Sequence, residues 1–295
     1  MPGKCWTAFR DWLMILVFGK SGQLATELQG HKGVVALGRD QADLLNPETC
    51  ADAIRVHQPK AVINAAAYTA VDRAEQEEAL VTIINGDAPG AMAQACAELS
   101  IRLVHISTDY VFAGNGELPW RPDDSTAPQN AYGRSKLAGE INIRASGAIH
   151  AILRTSWIFS AHGVNFVKTM LQLAETRDSV SVVADQIGGP TLARDIALAC
   201  LKIAEQLTQD PTKSGTYHYS GTPDVSWAEF AAAIFDQAGK VMTVTTIPTS
   251  DYPTPATRPL NSRLDCNTTN QVFGILRPDW HSGMKTVLKD LEVIS

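Results

Sequence analysis

Residues 14–25 read MILVFGKSGQLA, from Met14 to Ala25. The apolar run Met14–Phe18 stops at Gly19, the pattern of a short strand buried on both faces. A turn, Gly19-Lys20-Ser21-Gly22, then leads into the helix-forming residues Gln23-Leu24-Ala25-Thr26-Glu27-Leu28. A glycine just after a strand permits a tight turn, and a second lets backbone approach a pyrophosphate. A small residue at Ala25 lets the helix lie close to the sheet. With the helix N-terminus facing phosphate, this order favours a dinucleotide site over an ordinary βα turn.

The alternation continues downstream. Short apolar runs at Val34–Leu37, Ala61–Asn64, Ile101–Ser107 and Ala148–Arg154 read as strands. Between them, Asn46-Pro47 signals an N-cap and first turn for a helix to about His57. Ala79–Leu99 is rich in helix formers, residues 109–129 are loop-rich, and Ala131–Arg144 has helical character. Past Trp157, Asn165–Glu175 and Ala193–Gln206 read as helices, and Thr216–Ser220 and Val244–Ile247 as short strands. Ser226-Trp227-Ala228-Glu229 has the spacing of a capping box opening a helix to about Ala238. Pro248–Pro259 reads as an ordered or lid-like loop. The expectation is an α/β protein with a doubly wound parallel sheet. Residues 14–156 form the dinucleotide-binding domain, and residues 157–295 a smaller α/β lobe interleaved with it. Residues 1–13, MPGKCWTAFRDWL, read as an appended or accessory tail. The apolar stretch after them is short and lacks a cleavage site, which fits a signal peptide badly.

Composition bounds the function. The 295 residues are 45% hydrophobic, enough for a sizeable core. Lysine and arginine total 25 against 31 acidic residues, a net charge of -6 with no basic run. That argues against a nucleic-acid or anionic-membrane partner, though not against a local anion pocket. No apolar run reaches the roughly 18 residues of a membrane span. Five scattered cysteines without C-x-x-C speak against a disulfide framework and for a reducing, cytoplasmic setting. Seven dispersed histidines show no metal-ligand spacing, so no metal site is expected.

Three further motifs carry chemistry. The second strand exits at Gly38-Arg39-Asp40, where NAD sites usually place an acid. Arg39 offers a planar fork for a 2′-phosphate, favouring NADPH over NADH; a solvated loop arginine fits the position equally well. Asp43-Leu44 follows and is placed to edge an adenine. Asn64-Ala65-Ala66-Ala67-Tyr68-Thr69 puts small side chains at a strand end, suited either to a flat ligand or to tight packing. Tyr132-Gly-Arg-Ser-Lys136 places a phenol and an ammonium on one helical face, where Lys136 is expected to lower the Tyr132 pKa. Thr108, ending the fourth strand, offers a hydroxyl to a reacting carbonyl.

With Ser107-Thr108-Asp109-Tyr110-Val111-Phe112 added, the set resembles the extended short-chain dehydrogenase/reductase family. Within it the chain resembles the dTDP-4-dehydrorhamnose reductases, through STDYVFAGNGELPW, NAYGRSKLAGE, LRTSWIFS, DQIGGPT and YPTPATRPLNSRLD. The resemblance implies a Rossmann-like fold. It implies NADPH-dependent reduction of the C4 ketone of dTDP-4-dehydro-β-L-rhamnose, feeding lipopolysaccharide or other cell-surface polysaccharide. It implies a catalytic trio of Thr108, Tyr132 and Lys136, and substrate contacts from Thr108, Asp109 and Trp157. It implies cofactor contacts from Gly22, Gln23, Leu24, Asp43, Leu44, Ala67, Tyr68, Thr69, Tyr132 and Lys136, beside Gly19, Arg39, Ala65 and Ala66 from the motifs above. Arg258 and Arg263 are candidates for the substrate diphosphate or for structural roles. Some members dimerise around magnesium held by glutamates; Glu27 matches one position, but Arg194 stands at the other and Asp195 one step off. Magnesium is therefore doubtful, and a monomer or a metal-independent homodimer is expected. Two alternatives stand beside this reading. One is a non-catalytic NADP-binding regulatory subunit like that of methionine adenosyltransferase. The other is a different nucleotide-sugar reductase or epimerase.

Overall fold

The structure is a computed structural model describing residues 14–295; the expected tail, residues 1–13, lies outside the described residues. In chain order the first half gives β1 (Ile15–Phe18), α1 (Gln23–Gln29), β2 (Val34–Leu37), α2 (Pro47–His57) and β3 (Ala61–Asn64). There follow α3 (Val71–Ala74), α4 (Glu78–Thr82), α5 (Ala88–Glu98), β4 (Arg102–Thr108), α6 (Ala131–Ala145) and β5 (His150–Thr155). The second half gives β6 (Ile158–Phe159), α7 (Phe166–Leu173), β7 (Ser179–Val183), β8 (Ile187–Gly188), β9 (Thr191–Leu192) and α8 (Ala193–Gln209). It continues with β10 (Gly215–His218), β11 (Val225–Ser226), α9 (Trp227–Gln237), β12 (Thr243–Ile247), β13 (Asn261–Ser262), α10 (Asn267–Phe273) and α11 (Trp280–Asp290).

Six strands pair in the order β10-β5-β4-β3-β1-β2, every neighbour parallel. Side chains of alternate residues leave a strand on opposite faces, which sorts the core into two layers. Ile15 and Val17 of β1 pack with Leu24 and Leu28 of α1 and Ile203 of α8. Leu16 and Phe18 pack on the other side with Ile54 of α2 and Met92 of α5. Helices cover both faces, so the expected doubly wound, Rossmann-like α/β sheet is what the chain builds. The chain adds β2 on one side of β1 and β3 on the other, and this reversal of strand order opens a crevice at the carboxyl ends of β1 and β3. The edge strand β10 and the covering helix α8 come from beyond residue 157. A third core, including Phe159, Phe230, Ile234, Trp280 and Val287, holds α7, α9 and α11 with the two-stranded parallel pair β7-β12. Cys50, Cys96, Cys200 and Cys266 are buried and free.

Several expectations need correction. The helix read over Ala79–Leu99 is present and runs on from α4 into α5, but it widens between them into a π turn over Ile83–Asp87. Pro89 has no N–H, so the Asn85 carbonyl loses its usual partner four residues on and the turn widens. Helix α6 lies against that carbonyl, and a methyl group at Gly139 would overlap it. Asn46 precedes α2 but its side chain makes no cap bond, because ψ of 86° turns the backbone from the extended capping geometry. The capping box is present: Ser226 Oγ accepts from Glu229 N, and Glu229 Oε2 accepts from Ser226 N. Strand β7 and helices α10 and α11 had no marker in the sequence reading.

One buried ion pair ties α6 to the sheet. Arg154 of β5 donates to both oxygens of Glu140, Nε at 2.8 Å and Nη2 at 2.6 Å. Ser107 donates to Oε1 at 2.7 Å, and Arg144 Nη1 to Oε2 at 3.2 Å. Burial is the largest single influence on the Glu140 carboxyl and raises it, but these donors together outweigh burial and hold it below its ordinary value of 4.5. Arg154→Met leaves a buried carboxylate without its fork, at a cost of about 3–5 kcal/mol. A carboxyl whose folded pKa is depressed contributes stability above its unfolded value and loses it as pH falls through the folded one. Urea denaturation should therefore show a wide gap between wild type and Arg154→Met at pH 7, narrowing below about pH 4.5.

Candidate active site

The cleft is built where strand ends and helix starts converge. Gly19 ends β1 at φ +108°, a conformation that side chains rarely tolerate, and so turns the chain sharply into α1. A Cβ at Gly22 would meet nothing within 4 Å, leaving that backbone open to a ligand. Beyond β3, the Tyr68 backbone is clamped by Asn85 of the π turn: Tyr68 N donates to Oδ1 at 2.8 Å, and Nδ2 donates to Tyr68 O at 3.0 Å. The wide turn thus fixes the alanine loop 65–67 beside the glycine turn.

The start of α6 is equally constrained. Asn130 Oδ1 accepts from Gly133 N at 2.8 Å, and its Nδ2 donates to Thr257 O at 2.8 Å. Glu75 Oε1 accepts from Ala131 N at 2.7 Å. Gly133 lies so close to the Tyr110 carbonyl that a methyl group there would overlap it. The close approach brings Tyr132 against the end of β4, edge-on to Tyr110 at 5.5 Å.

A cleft of about 630 Å³ results. Gly19, Gly22, Gln23, Leu24, Ala65, Ala66, Ala67 and Thr69 line one part of it, and Thr108, Asp109, Tyr132, Lys136 and Trp157 another. A second hollow of about 240 Å³ shares Gly19, Lys20, Ser21, Ala66 and Ala67 with it and adds Arg39, Asp43, Leu44 and Tyr68. Every position singled out for cofactor, substrate or catalysis before the late loop therefore borders one or other of two adjoining hollows.

Some roles shift within it. The Gln23 side chain is engaged, its Oε1 accepting from Ser160 Oγ at 3.0 Å and Asn165 Nδ2 at 3.1 Å. Tyr68 donates its hydroxyl to Glu77 at 2.7 Å. Arg39 is exposed, its Nε 3.6 Å from Asp43 Oδ1. Arg263 turns from the cleft to Asn261 Oδ1 at 3.0 Å. Arg258 pairs with Asp72 Oδ2 at 2.7 Å, joining the late loop to α3.

The expected depression of the Tyr132 pKa does not occur. Burial and the nearby Asp109 push the phenol above its ordinary value, with a hydrogen bond to Thr108 opposing them. Lys136 Nζ is spent elsewhere, donating to Ile106 O at 2.7 Å. Desolvation pushes Lys136 itself down to about 8. Thr108 Oγ1 lies 3.1 Å from Asp109 Oδ1 and accepts from Tyr110 N at 3.2 Å. Its single proton serves either Asp109 or Tyr132.

The glutamate expected from the family's magnesium site is already neutralised. Arg194 Nε reaches Glu27 Oε2 at 3.1 Å and its Nη2 reaches Asp290 at 2.7 Å, while His162 Nε2 lies 3.5 Å from Oε1. With a guanidinium on that carboxylate, the residues present do not fit a divalent cation.

Two contributors escaped the sequence reading. Trp227 stacks on Trp157 with centroids 3.7 Å apart and planes 13° apart, and both line the cleft. In sequence Trp227 is only the residue after a cap; its pairing is a tertiary event. Lys20 stands in the quoted glycine turn, where its charge was the available signal, and it lines both hollows.

Burial raises the Asp109 carboxyl to about 6, and its Oδ2 lies near Ser262 without a well-formed hydrogen bond. A carboxyl whose folded pKa is raised destabilises the fold as it ionises, from its unfolded value of 3.8 upward through about 6. Asp109→Asn should raise the melting temperature at pH 8 relative to wild type and gain little or nothing at pH 4, read by calorimetry across pH.

Comparison with known proteins finds a matching family model and full-length relatives. The family model described as RmlD substrate binding domain matches residues 13–293. The dTDP-4-dehydrorhamnose reductase of Escherichia coli K12 is 40% identical over 293 residues, covering 94% of this chain and 97% of that protein. That of Sinorhizobium fredii is 41% identical over 286 residues, with the same coverage. The crystal structure of dTDP-4-dehydrorhamnose reductase from Bacillus anthracis, in complex with NADP, superposes with a TM-score of 0.88 at 34% identity, covering 95% of this chain and 99% of that one.

Proposed function

The chain belongs to the dTDP-4-dehydrorhamnose reductase family, and we propose that it reduces the C4 ketone of dTDP-4-dehydro-β-L-rhamnose to give dTDP-L-rhamnose, with NADPH as reductant. The observation that carries this is the convergence of Thr108, Tyr132, Lys136 and Trp157 with the glycine turn on one cleft. The glycine turn and alanine loop present bare backbone, which suits a dinucleotide pyrophosphate. Lys20 and Arg39 flank the outer hollow and suit a 2′-phosphate, so NADPH is the better donor and NADH the poorer one. When bound, NADPH supplies the hydride.

The remaining work falls to side chains. Thr108 hydrogen-bonds the ketone oxygen through its hydroxyl and keeps its proton. Tyr132, protonated at neutral pH because its acidity is suppressed, gives its proton to the developing alkoxide. Lys136 anchors the ribose beside it. The Trp157-Trp227 stack offers a flat apolar wall to the sugar nucleotide, and Asp109 and Thr155, each with a buried oxygen lacking a partner, suit its hydroxyls. In this reading residues 14–156 hold chiefly the cofactor and residues 157–295 chiefly the sugar nucleotide. The protein works in the cytoplasm as a monomer or a metal-independent homodimer.

Purified protein should consume NADPH stoichiometrically with the 4-keto sugar nucleotide. A regulatory subunit would bind NADPH without consuming it, and an epimerase would return it unchanged. Tyr132→Phe should lower kcat by about 10²–10⁴ while the NADPH Kd changes only a few-fold; undiminished turnover would remove Tyr132 from the role. Arg39→Ser should raise the KM for NADPH about tenfold and leave that for NADH nearly unchanged, the scale of one lost charged contact. Steady-state kinetics with both cofactors reads the difference.

A further inference from the structure

Behind the cleft, β4 and α6 are joined by a regular polar ladder. His105 and Ser107, alternate residues of the strand, meet Lys136 and Glu140, one helical turn apart. His105 Nε2 lies 3.2 Å from Lys136 Nζ, and His105 Nδ1 lies 3.1 Å from Asn64 Nδ2. Asn64 is paired with His105 in the parallel register of β3 and β4. Its Oδ1 accepts from Ala66 N at 3.1 Å, which fixes the amide with oxygen toward Ala66 and nitrogen toward the imidazole. Asn64, His105 and Lys136 are all fully buried.

The hydrogens of this chain can be counted. A neutral imidazole carries one N–H and one lone pair. Asn64 Nδ2 donates, so Nδ1 accepts and the proton resides on Nε2, pointing at Lys136 Nζ. An ammonium has no lone pair to receive it. A neutral amine accepts that N–H and still donates to the Ile106 carbonyl at 2.7 Å. We propose that His105 is a positioning residue that Asn64 holds in the Nε2–H tautomer, so that it both fixes Lys136 and eases loss of its proton.

Burial and the charged neighbours also bear on this contact. Glu140, the carboxylate one turn along α6, is engaged by Ser107, Arg154 and Arg144 and bears on Lys136 only through space. Tyr132 shares the α6 face, and His150 of β5 bears on His105. Burial holds His105 well below the usual histidine range, so the ring stays neutral, and it acts on Lys136 in the same direction. The proposal rests on the reductase reading of Lys136, but its test does not need turnover.

Nitrogen-15 NMR of the wild-type protein should show His105 as the Nε2–H tautomer, and Lys136 Nζ titrating below the other lysines. His105→Gln presents an amide oxygen that accepts from an ammonium. It should move the Lys136 titration upward by about one pH unit, and the basic limb of kcat/KM with it, in a protein that still unfolds cooperatively. A merely structural role would lower stability without moving the titration. An Nδ1–H tautomer in the wild type, or an unmoved Lys136 titration in folded His105→Gln, overturns the proposal. Should the variant fail to fold, the wild-type tautomer decides alone. A lowered Lys136 titration with the Nε2–H tautomer but no NADPH consumption would instead refute the reductase reading and leave the His105 contact standing.

Discussion

The structure turns on the carboxylate of Glu140. Fully buried, it accepts from Ser107 of β4, twice from Arg154 of β5, and from Arg144 one turn along its own helix. A buried charge is tolerated only when its lone pairs are filled, so α6 has one allowed rotation and one allowed height on the sheet. That setting brings Tyr132 to the end of β4 and Lys136 to the Ile106 carbonyl. It also consumes the one carboxylate within a turn of Lys136, which leaves the lysine dependent on weaker, neutral partners.

Close packing does the corresponding work for the cofactor side. Gly133 against Tyr110 and Gly139 against Asn85 let α6 approach backbone where any side chain would intervene. The π turn so accommodated aims Asn85 at the Tyr68 backbone, fixing the alanine loop opposite Gly19. Polar contacts and missing side chains therefore act together: the first set the helix in place, the second let it come close enough to matter.

Much of this was legible in the sequence because it is local. A strand, a glycine turn and a helix are neighbours along the chain, and the β1, β3, β4 and β5 runs carry their burial in their composition. Tyr132, Lys136 and Thr108 were marked by spacing and strand-end position. What stayed hidden depends on residues far apart. Trp227 meets Trp157 only once α9 is packed in place, Arg194 reaches Glu27 across 167 positions, and the π turn at Ile83–Asp87 depends on both Pro89 and the face of α6. The sense of the Tyr132 shift is hidden for the same reason. Helical spacing brings Lys136 to the right face, but burial and the nearby Asp109 act on the phenol, and neither is visible from an i, i+4 interval.

The Trp157-Trp227 pair has a separate consequence. Trp157 adopts φ +49°, a strained setting for a bulky side chain, and a methyl at Gly188 would press to within 2.9 Å of its ring. The indole is thus wedged flat against its neighbour across the junction between β5 and α9. Two aromatic chromophores in van der Waals contact share their excited state, so the wall of the cleft is also an optical gauge. Any movement that parts β5 from α9 would register in the protein's own emission, without a label.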